Sequence, residues 1–357
     1  MVFRNIGELR IFFGQVYPIF RKNAAEGRQN IYTGHFRAGR KVDRMKIAGK
    51  KFIITAMTLA IAALAFSAVA AVPEDPTVYR PASSTWFKQS ADDNGTFSAV
   101  KWGMEGDVPL AADFDGDGLK DNAVWRPSTG VWYILRSTDG NVDHFTWGMT
   151  TQHPTGGLAD VPVPTDFDGD GRADIAVFRP DTGIWYVLTS SSGYDHRSTV
   201  YFQWGQLGDV PVEADYDGDG RTDFAVFRPQ GNRWFISQSS TGRPRVATFG
   251  TSGPDQLIPA DYNGDGRAEL AIFREGEWHI FDLASGQVES TIFGPASGTP
   301  APADYDGDGE LDLAVFDRGN WYTFRSTTGE LSTLQFGSEG DLPLSGHTAK
   351  QSIVAVP

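Results

Sequence analysis

The chain contains no cysteine. That excludes a disulfide framework and any thiolate metal site. It leaves the compartment open, because an oxidising space permits disulfides without requiring them. Positive charge is scarce after the N-terminal segment. The first 51 residues hold twelve Lys/Arg against Glu8, Glu26 and Asp43, a net of +9, so in a chain of net charge −14 the remainder carries −23. So acidic a body lacks the basic face that phosphate contacts need, and nucleic acid is not an expected partner. Helical spacing is missing from every long stretch beyond residue 75. Histidine is sparse there too: only His144, His153, His196, His279 and His347 remain, at non-equivalent places. Neither G-x-S-x-G nor H-E-x-x-H occurs, so no catalytic constellation stands out.

One long apolar run is present. Residues 45–71 read MKIAGKKFIITAMTLAIAALAFSAVAA, with Lys46, Lys50 and Lys51 ahead of an uncharged core from Phe52 to Phe66. Ala68-Val69-Ala70 and Val69-Ala70-Ala71 are small-x-small cleavage sites, and the segment is read as a secretory signal peptide. Residues 1–44 then form a basic extension ahead of a natural start at Met45, consistent with a misassigned translation start. The alternative is a cytoplasmic tail and a signal anchor, since residues 52–72 are just long enough to span a bilayer. Either reading exports the C-terminal body and places it outside the cell or at its surface, with membrane contact only through an uncleaved anchor.

The body of the chain is repetitive. Asp113, Asp166, Asp215, Asp261 and Asp304 each open a related acidic loop, at spacings of 53, 49, 46 and 43. A period of 40–50 residues marks a solenoid or propeller. Residues 161–205 show the unit. A short apolar run, VPVPTDF, precedes DGDG; then come ADIAVFRP, a DTG turn, IWYVLTS, a polar loop and STVYFQWG. Short runs rich in Val, Ile, Phe, Tyr and Trp, bounded by Gly, Pro, Asp and Ser, read as strands. Four strands per unit make the blade of a β-propeller.

Other landmarks recur six times. A Trp opens the third strand: Trp86, Trp132, Trp185, Trp234, Trp278 and Trp321. An aromatic-Gly pair ends the fourth, from Trp102-Gly103 to Phe336-Gly337. Arg80, Arg126, Arg179, Arg228 and Arg274 end second strands, and the last unit shifts to Asp317-Arg318. The first unit begins at its second strand, TVYRP (77–81), whereas the chain finishes on a first strand, Asp341 to Leu344. The prediction is an all-β propeller of six four-stranded blades, the terminal strands sharing the closing blade and removing the free edge. The tail SIVAVP (352–357) resembles another second strand, which would make seven.

The loops read D-x-[DN]-G-D-G-x-x-[DE]. Positions 1, 3 and 5 are Asp113, Asp115 and Asp117; Asp166, Asp168 and Asp170; Asp215, Asp217 and Asp219; Asp261, Asn263 and Asp265; Asp304, Asp306 and Asp308. Position 9 is Asp121, Asp174, Asp223, Glu269 and Asp312. Carboxylates this close repel unless a cation sits among them, and hard oxygens at this density suit Ca²⁺ better than Mg²⁺. Glycine at positions 4 and 6 allows a sharp turn with positive φ. Position 7, held by Leu119, Arg172, Arg221, Arg267 and Glu310, is expected to offer its carbonyl, leaving its side chain free to vary. An EF-hand would need a bidentate Glu at position 12 and flanking helices. That position is Val124, Val177, Val226, Ile272 and Val315, inside a strand.

The DxDGDGxxDxAVFRP loop-strand, the aromatic-Gly pair and the GDVP lead-in resemble the FG-GAP/VCBS repeats of integrin-α-like propellers and secreted bacterial proteins, over residues 76–357. The resemblance implies Ca²⁺ between the first and second strands of each blade, about five in all, because the 341–351 segment departs from the pattern. It does not fix a function. Repeated features are first read as architecture: the six Trp as packing between blades rather than sugar platforms, the Arg as partners of neighbouring acids. Trp125, His153, Tyr194, His196 and His279 break the symmetry and are noted as candidates for a unique site. The expected role is an exported calcium-binding module that binds or adheres to an extracellular protein or glycan without catalysis. The alternative is a secreted carbohydrate-active enzyme, a glycoside hydrolase or lyase.

Overall fold

The structure, a computed structural model, describes residues 9–12, 15–18 and 73–344 apart from 91–95, 150–157 and 252–254. The segment 45–71, read as a signal peptide, and His153, His347 and the SIVAVP tail lie outside the described residues. Leu9–Phe12 and Gln15–Pro18 pair as an antiparallel hairpin, described by itself.

The body forms six four-stranded antiparallel sheets, arranged as the blades of a propeller. Blade 2 runs Val108–Ala112, Asp121–Arg126, Val131–Leu135 and Val142–Thr146. Blade 3 runs Val161–Pro162, Ile175–Arg179, Ile184–Leu188 and Val200–Gln203. Blade 4 runs Val210–Pro211, Phe224–Arg228, Arg233–Ser237 and Pro244–Thr248. Blade 5 runs Gln256–Leu257, Leu270–Arg274, Glu277–Phe281 and Val288–Ile292. Blade 6 runs Thr299–Pro300, Leu313–Asp317, Asn320–Phe324 and Leu331–Gln335. In blade 1 the C-terminal Leu342–Pro343 pairs with Thr77–Arg80, followed by Thr85–Gln89 and Phe97–Lys101. The shared closing blade is as the chain ends predict.

Strand character changes across each blade. Second strands such as Ile175–Arg179 are buried almost throughout, because blades cover both faces. Fourth strands alternate or are fully exposed, and they form the outer rim. The six repeated Trp are 0–2% exposed. Each donates its indole N–H to the carbonyl of the aromatic residue that ends the same blade, as Trp185 does to Trp204 at 2.8 Å and Trp278 to Phe293 at 3.0 Å. Trp234 also packs with Leu257 and Leu270 of blade 5. The Trp are therefore core between blades, with their one polar atom satisfied.

At the other end of the second strand, the repeated Arg pairs with the Asp that precedes the first strand, through both carboxylate oxygens in blades 1 to 4 and through Oδ1 alone in blade 5. The pairs are Arg80–Asp341, Arg126–Asp107, Arg179–Asp160, Arg228–Asp209 and Arg274–Asp255. In blade 6 both partners are replaced together. Asp317 stands at the Arg position and takes a hydrogen bond from Ser297, while Gly298 stands at the Asp position. A Cβ on Gly298 would lie 2.2 Å from Val315, so no acid fits there.

Candidate metal centres

Each acidic loop joins the first and second strands of its blade. In the second to fifth loops an isolated bridge ties the residue before position 1 to position 9: Thr165 to Asp174, Ala214 to Asp223, Ala260 to Glu269 and Ala303 to Asp312. All ten loop glycines at positions 4 and 6 have φ between +70° and +89°, as the sequence predicts. That geometry turns two backbone N–H groups onto one carboxylate. Asp166 accepts from Gly169 at 2.6 Å and from Gly171 at 2.8 Å, and the other four loops repeat the pair.

Position 9 is buried in every loop. One of its oxygens accepts the position 2 backbone N–H, as in Phe167 to Asp174 at 2.9 Å. In four loops the other accepts a backbone N–H from the turn between the third and fourth strands: Ser137 to Asp121, Ser190 to Asp174, Ser239 to Asp223 and Ser326 to Asp312; in the fourth loop Glu269 takes the Asn263 side-chain amide instead. Burial raises Asp174 and Glu269 to about 7 and Asp223 to about 6, despite these hydrogen bonds. It also raises Asp121 and Asp312. The charge at position 3 pushes Asp174, Asp223 and Asp312 further in the same direction. Burial first, and then the neighbouring carboxylates, disfavour the charged form, and a proton or a bound cation would relieve it.

Carboxylate oxygens converge to within 4.8 Å of one another in five groups. Positions 1, 3 and 9 meet in the first three loops: Asp113, Asp115 and Asp121; Asp166, Asp168 and Asp174; Asp215, Asp217 and Asp223. In the fourth the group is Asp261, Asp265 and Glu269, and in the fifth Asp304, Asp306 and Asp308. Position 5 of the first three loops stands outside the group, its carboxylate taking the position 7 N–H, as in Leu119 to Asp117. Position 7 side chains reach across the preceding blade's loop, placing Arg172 beside Gly116 and Arg221 beside Gly169. Position 3 tests whether a cation fits. Oδ1 of Asp168, Asp217 and Asp306 is buried without a hydrogen-bond donor. A shielded oxygen without a donor costs free energy that a bound cation would remove. The groups could each hold a metal ion.

Sequence reasoning missed the residues that cover the loops. Two consecutive hydroxyls, five and six residues after the repeated Trp, lie over the acids. Ser137 and Thr138 bond Asp117. Ser191 bonds Asp168 at 2.5 Å, and Ser240 bonds Asp217 at 2.6 Å. The recurrence of Ser or Thr at that offset was visible in the repeat. In blade 5 the pair is Leu283-Ala284, and the fourth loop lacks this cover.

The symmetry-breaking residues are dispersed. Trp125 is buried and bonds the Trp147 carbonyl. Tyr194 spans two blades, its one hydroxyl proton shared between the carbonyls of Phe114 and Ala173. His196 lies edge-on to Trp147. His279 bonds Ser290 and sits 3.4 Å from Glu277. Among the described residues the imidazoles of His144, His196 and His279 stand on three different blades. A central channel of about 920 Å³ is walled by first-strand residues such as Val161, Pro162, Val210 and Pro211, with Asp113, Asp166, Asp215 and Asp261 of the loops also lining it.

A family model described as an FG-GAP-like repeat matches residues 113–177, 215–272 and 261–315. No curated protein sequence matches. Among solved structures, the chain resembles an Agrocybe aegerita lectin that recognises non-reducing terminal N-acetylglucosamine, with TM-score 0.52, 14% identity, and 77% of this chain and 96% of that one covered. It also resembles TolB from Acinetobacter baumannii, with TM-score 0.47, 18% identity, and coverage of 77% and 64%. A virginiamycin B lyase from Staphylococcus aureus is similar at TM-score 0.47 and 12% identity, covering 76% and 88%. At these identities the likeness is one of fold.

Proposed function

This chain carries FG-GAP-like repeats closed into a six-bladed β-propeller, and from that premise we propose that it is an exported, calcium-stabilised binding module. The observation that supports it most is the set of five loops that each gather carboxylates, three of which hold a position 3 oxygen buried without a donor. Positions 1, 3, 5 and 9, with the carbonyl of position 7, would hold each cation. Bound Ca²⁺ neutralises the acids and fixes the hairpin between first and second strands. About five Ca²⁺ would bring the body's −23 to about −13, easing self-repulsion. At a free Ca²⁺ tenfold above Kd, each site would contribute about 1.4 kcal/mol to stability. The signal segment at 45–71 agrees with a calcium-rich exterior, where such modules bind at about 10⁻⁴–10⁻³ M.

The partner in this reading is an extracellular protein or glycan, bound without chemistry. Calorimetry with Ca²⁺ on the metal-stripped chain should count about five sites, and the melting temperature should fall in EDTA and recover with Ca²⁺. A melt indifferent to both would refute the calcium reading. A glycan array and a screen for polysaccharide cleavage separate binding from catalysis; product release by pure protein would favour the glycoside hydrolase or lyase alternative.

A further inference from the structure

Aromatic residues fill the space beside the repeated Trp in blades 2 to 4, whereas in blade 5 it stands open. The outer-strand residue paired with that Trp is Val100, Phe145, Phe202, Ala247, Thr291 and Leu334 in blades 1 to 6. Phe145 packs 4.8 Å from Tyr194 of blade 3, and Phe202 stacks 4.6 Å from Phe224 of blade 4. In blade 4, where the residue is only Ala247, Phe249 packs 5.5 Å from Phe281 of blade 5 and Arg245 bonds the Leu283 carbonyl. Thr291 of blade 5 is short and polar. Beside it, between blades 5 and 6, lies a cavity of about 380 Å³. Its size falls in the lower range of small-ligand sites.

A second departure from the repeat meets the first at this cavity. Asn263 and Glu269 replace Asp in the fourth loop. Asn263, Glu269 and Thr291 all line the cavity. The short Thr291 and the altered fourth loop, two breaks in the repeat, meet at this one cavity.

We propose that this cavity receives a lysine or arginine side chain from a protein partner. The inference rests on the binding-module reading above and gives its partner a chemistry. Glu289 and Glu310 stand exposed at the rim and Asp282 lies among the lining residues, three carboxylates besides Glu269, which belongs to the fourth loop's cation group. Among the described residues no Lys or Arg lines the cavity, so its potential is negative. An anionic sugar or a phosphate is repelled. Ile280, Leu313 and Phe324 supply an apolar wall, which a metal ion or a strongly hydrated polyol would leave unused. A long alkyl stem tipped with a cation matches both halves: the stem covers the wall and the charge meets the glutamates.

The test uses the calcium-loaded full chain and short capped peptides carrying Arg, Lys or uncharged citrulline, with a neutral glycan array beside them. The Arg and Lys peptides should bind saturably by calorimetry, and citrulline should bind at least about fivefold more weakly. Thr291→Phe, which restores the residue of blades 2 and 3, should abolish binding, and Glu289→Lys should do the same. Both variants should keep the wild-type circular dichroism and the calcium-dependent rise in melting temperature. The proposal is overturned by no saturable binding of either cationic peptide, by equal affinity for citrulline, by full binding in Thr291→Phe, or by saturable binding of neutral glycans alone at this cavity. Loss of the calcium-dependent melt in the wild-type chain would instead strike the calcium reading, and leaves the peptide result interpretable.

Discussion

The backbone N–H of Glu74 donates to the carbonyl of Asp304 at 2.7 Å, joining the start of the propeller to the first residue of its last acidic loop. The same bond links neighbouring loops around the ring: Ala173 to Asp113 at 2.6 Å, Thr222 to Asp166 at 2.8 Å and Ala268 to Asp215 at 2.7 Å. In each, position 8 of one loop holds position 1 of the preceding blade's loop. Glu74 lies six residues before Arg80, the same offset as Ala173 from Arg179, so it occupies position 8 of the incomplete repeat. Asp75 then stands at position 9, with Lys88 3.3 Å away. Lys120 of the first loop pairs with Glu74 at 3.3 Å. Fixed lysine charges stand beside the acids of the one repeat that lacks an acidic loop.

This arrangement separates two roles of Glu74. Glu74→Pro removes the N–H that closes the ring and should cost about 1–3 kcal/mol. Glu74→Ala keeps that bond, loses only the Lys120 pair, and should cost less than about 1 kcal/mol. Thermal melts in saturating Ca²⁺ read the difference, and equal effects would show that the bond does not hold the ring.

Asp168 gives a change of sign. Its Oδ1 is buried without a donor, so in metal-free protein the side chain stands among like charges. Asp168→Ala should lower the count of Ca²⁺ sites by one and lower the melting temperature in Ca²⁺. In EDTA the same variant should melt no lower than the wild type, and higher if repulsion dominates. A uniform loss of stability in both buffers would make Asp168 a structural residue only.

The Arg–Asp clamps should be strongly non-additive. The Asp160 side chain is fully buried against Arg179, whose guanidinium lies 4.1 Å from the Tyr186 ring centroid. Asp160→Ala leaves a partly buried cation unpaired and should cost about 2–4 kcal/mol. Adding Arg179→Leu should recover part of that loss, since blade 6 folds with neither partner. Denaturant melts of the single and double variants measure the coupling; additive losses would dismiss it.

Tyr194 pins blade 3 to blade 2 through two carbonyls, and burial raises its phenol well above the usual tyrosine range. Tyr194→Phe retains the ring contact with Phe145 and removes the shared hydrogen bond. It should cost about 1–2 kcal/mol and leave the Ca²⁺ count unchanged. A fall in the count would tie the tyrosine to the neighbouring loops instead.

The sequence determined what recurs. Strand runs, the position of each Trp, the loop ligand types and the split closing blade come from local pattern, because each repeat states them again and the chain ends show where the copies fall. Tertiary structure decided what lies between copies. Ser191 over Asp168, Arg179 on Asp160, Glu74 on Asp304 and the cavity beside Thr291 join residues from different strands, loops or blades. Such contacts depend on how sheets are brought together in space, and the period of the sequence carries no record of that distance.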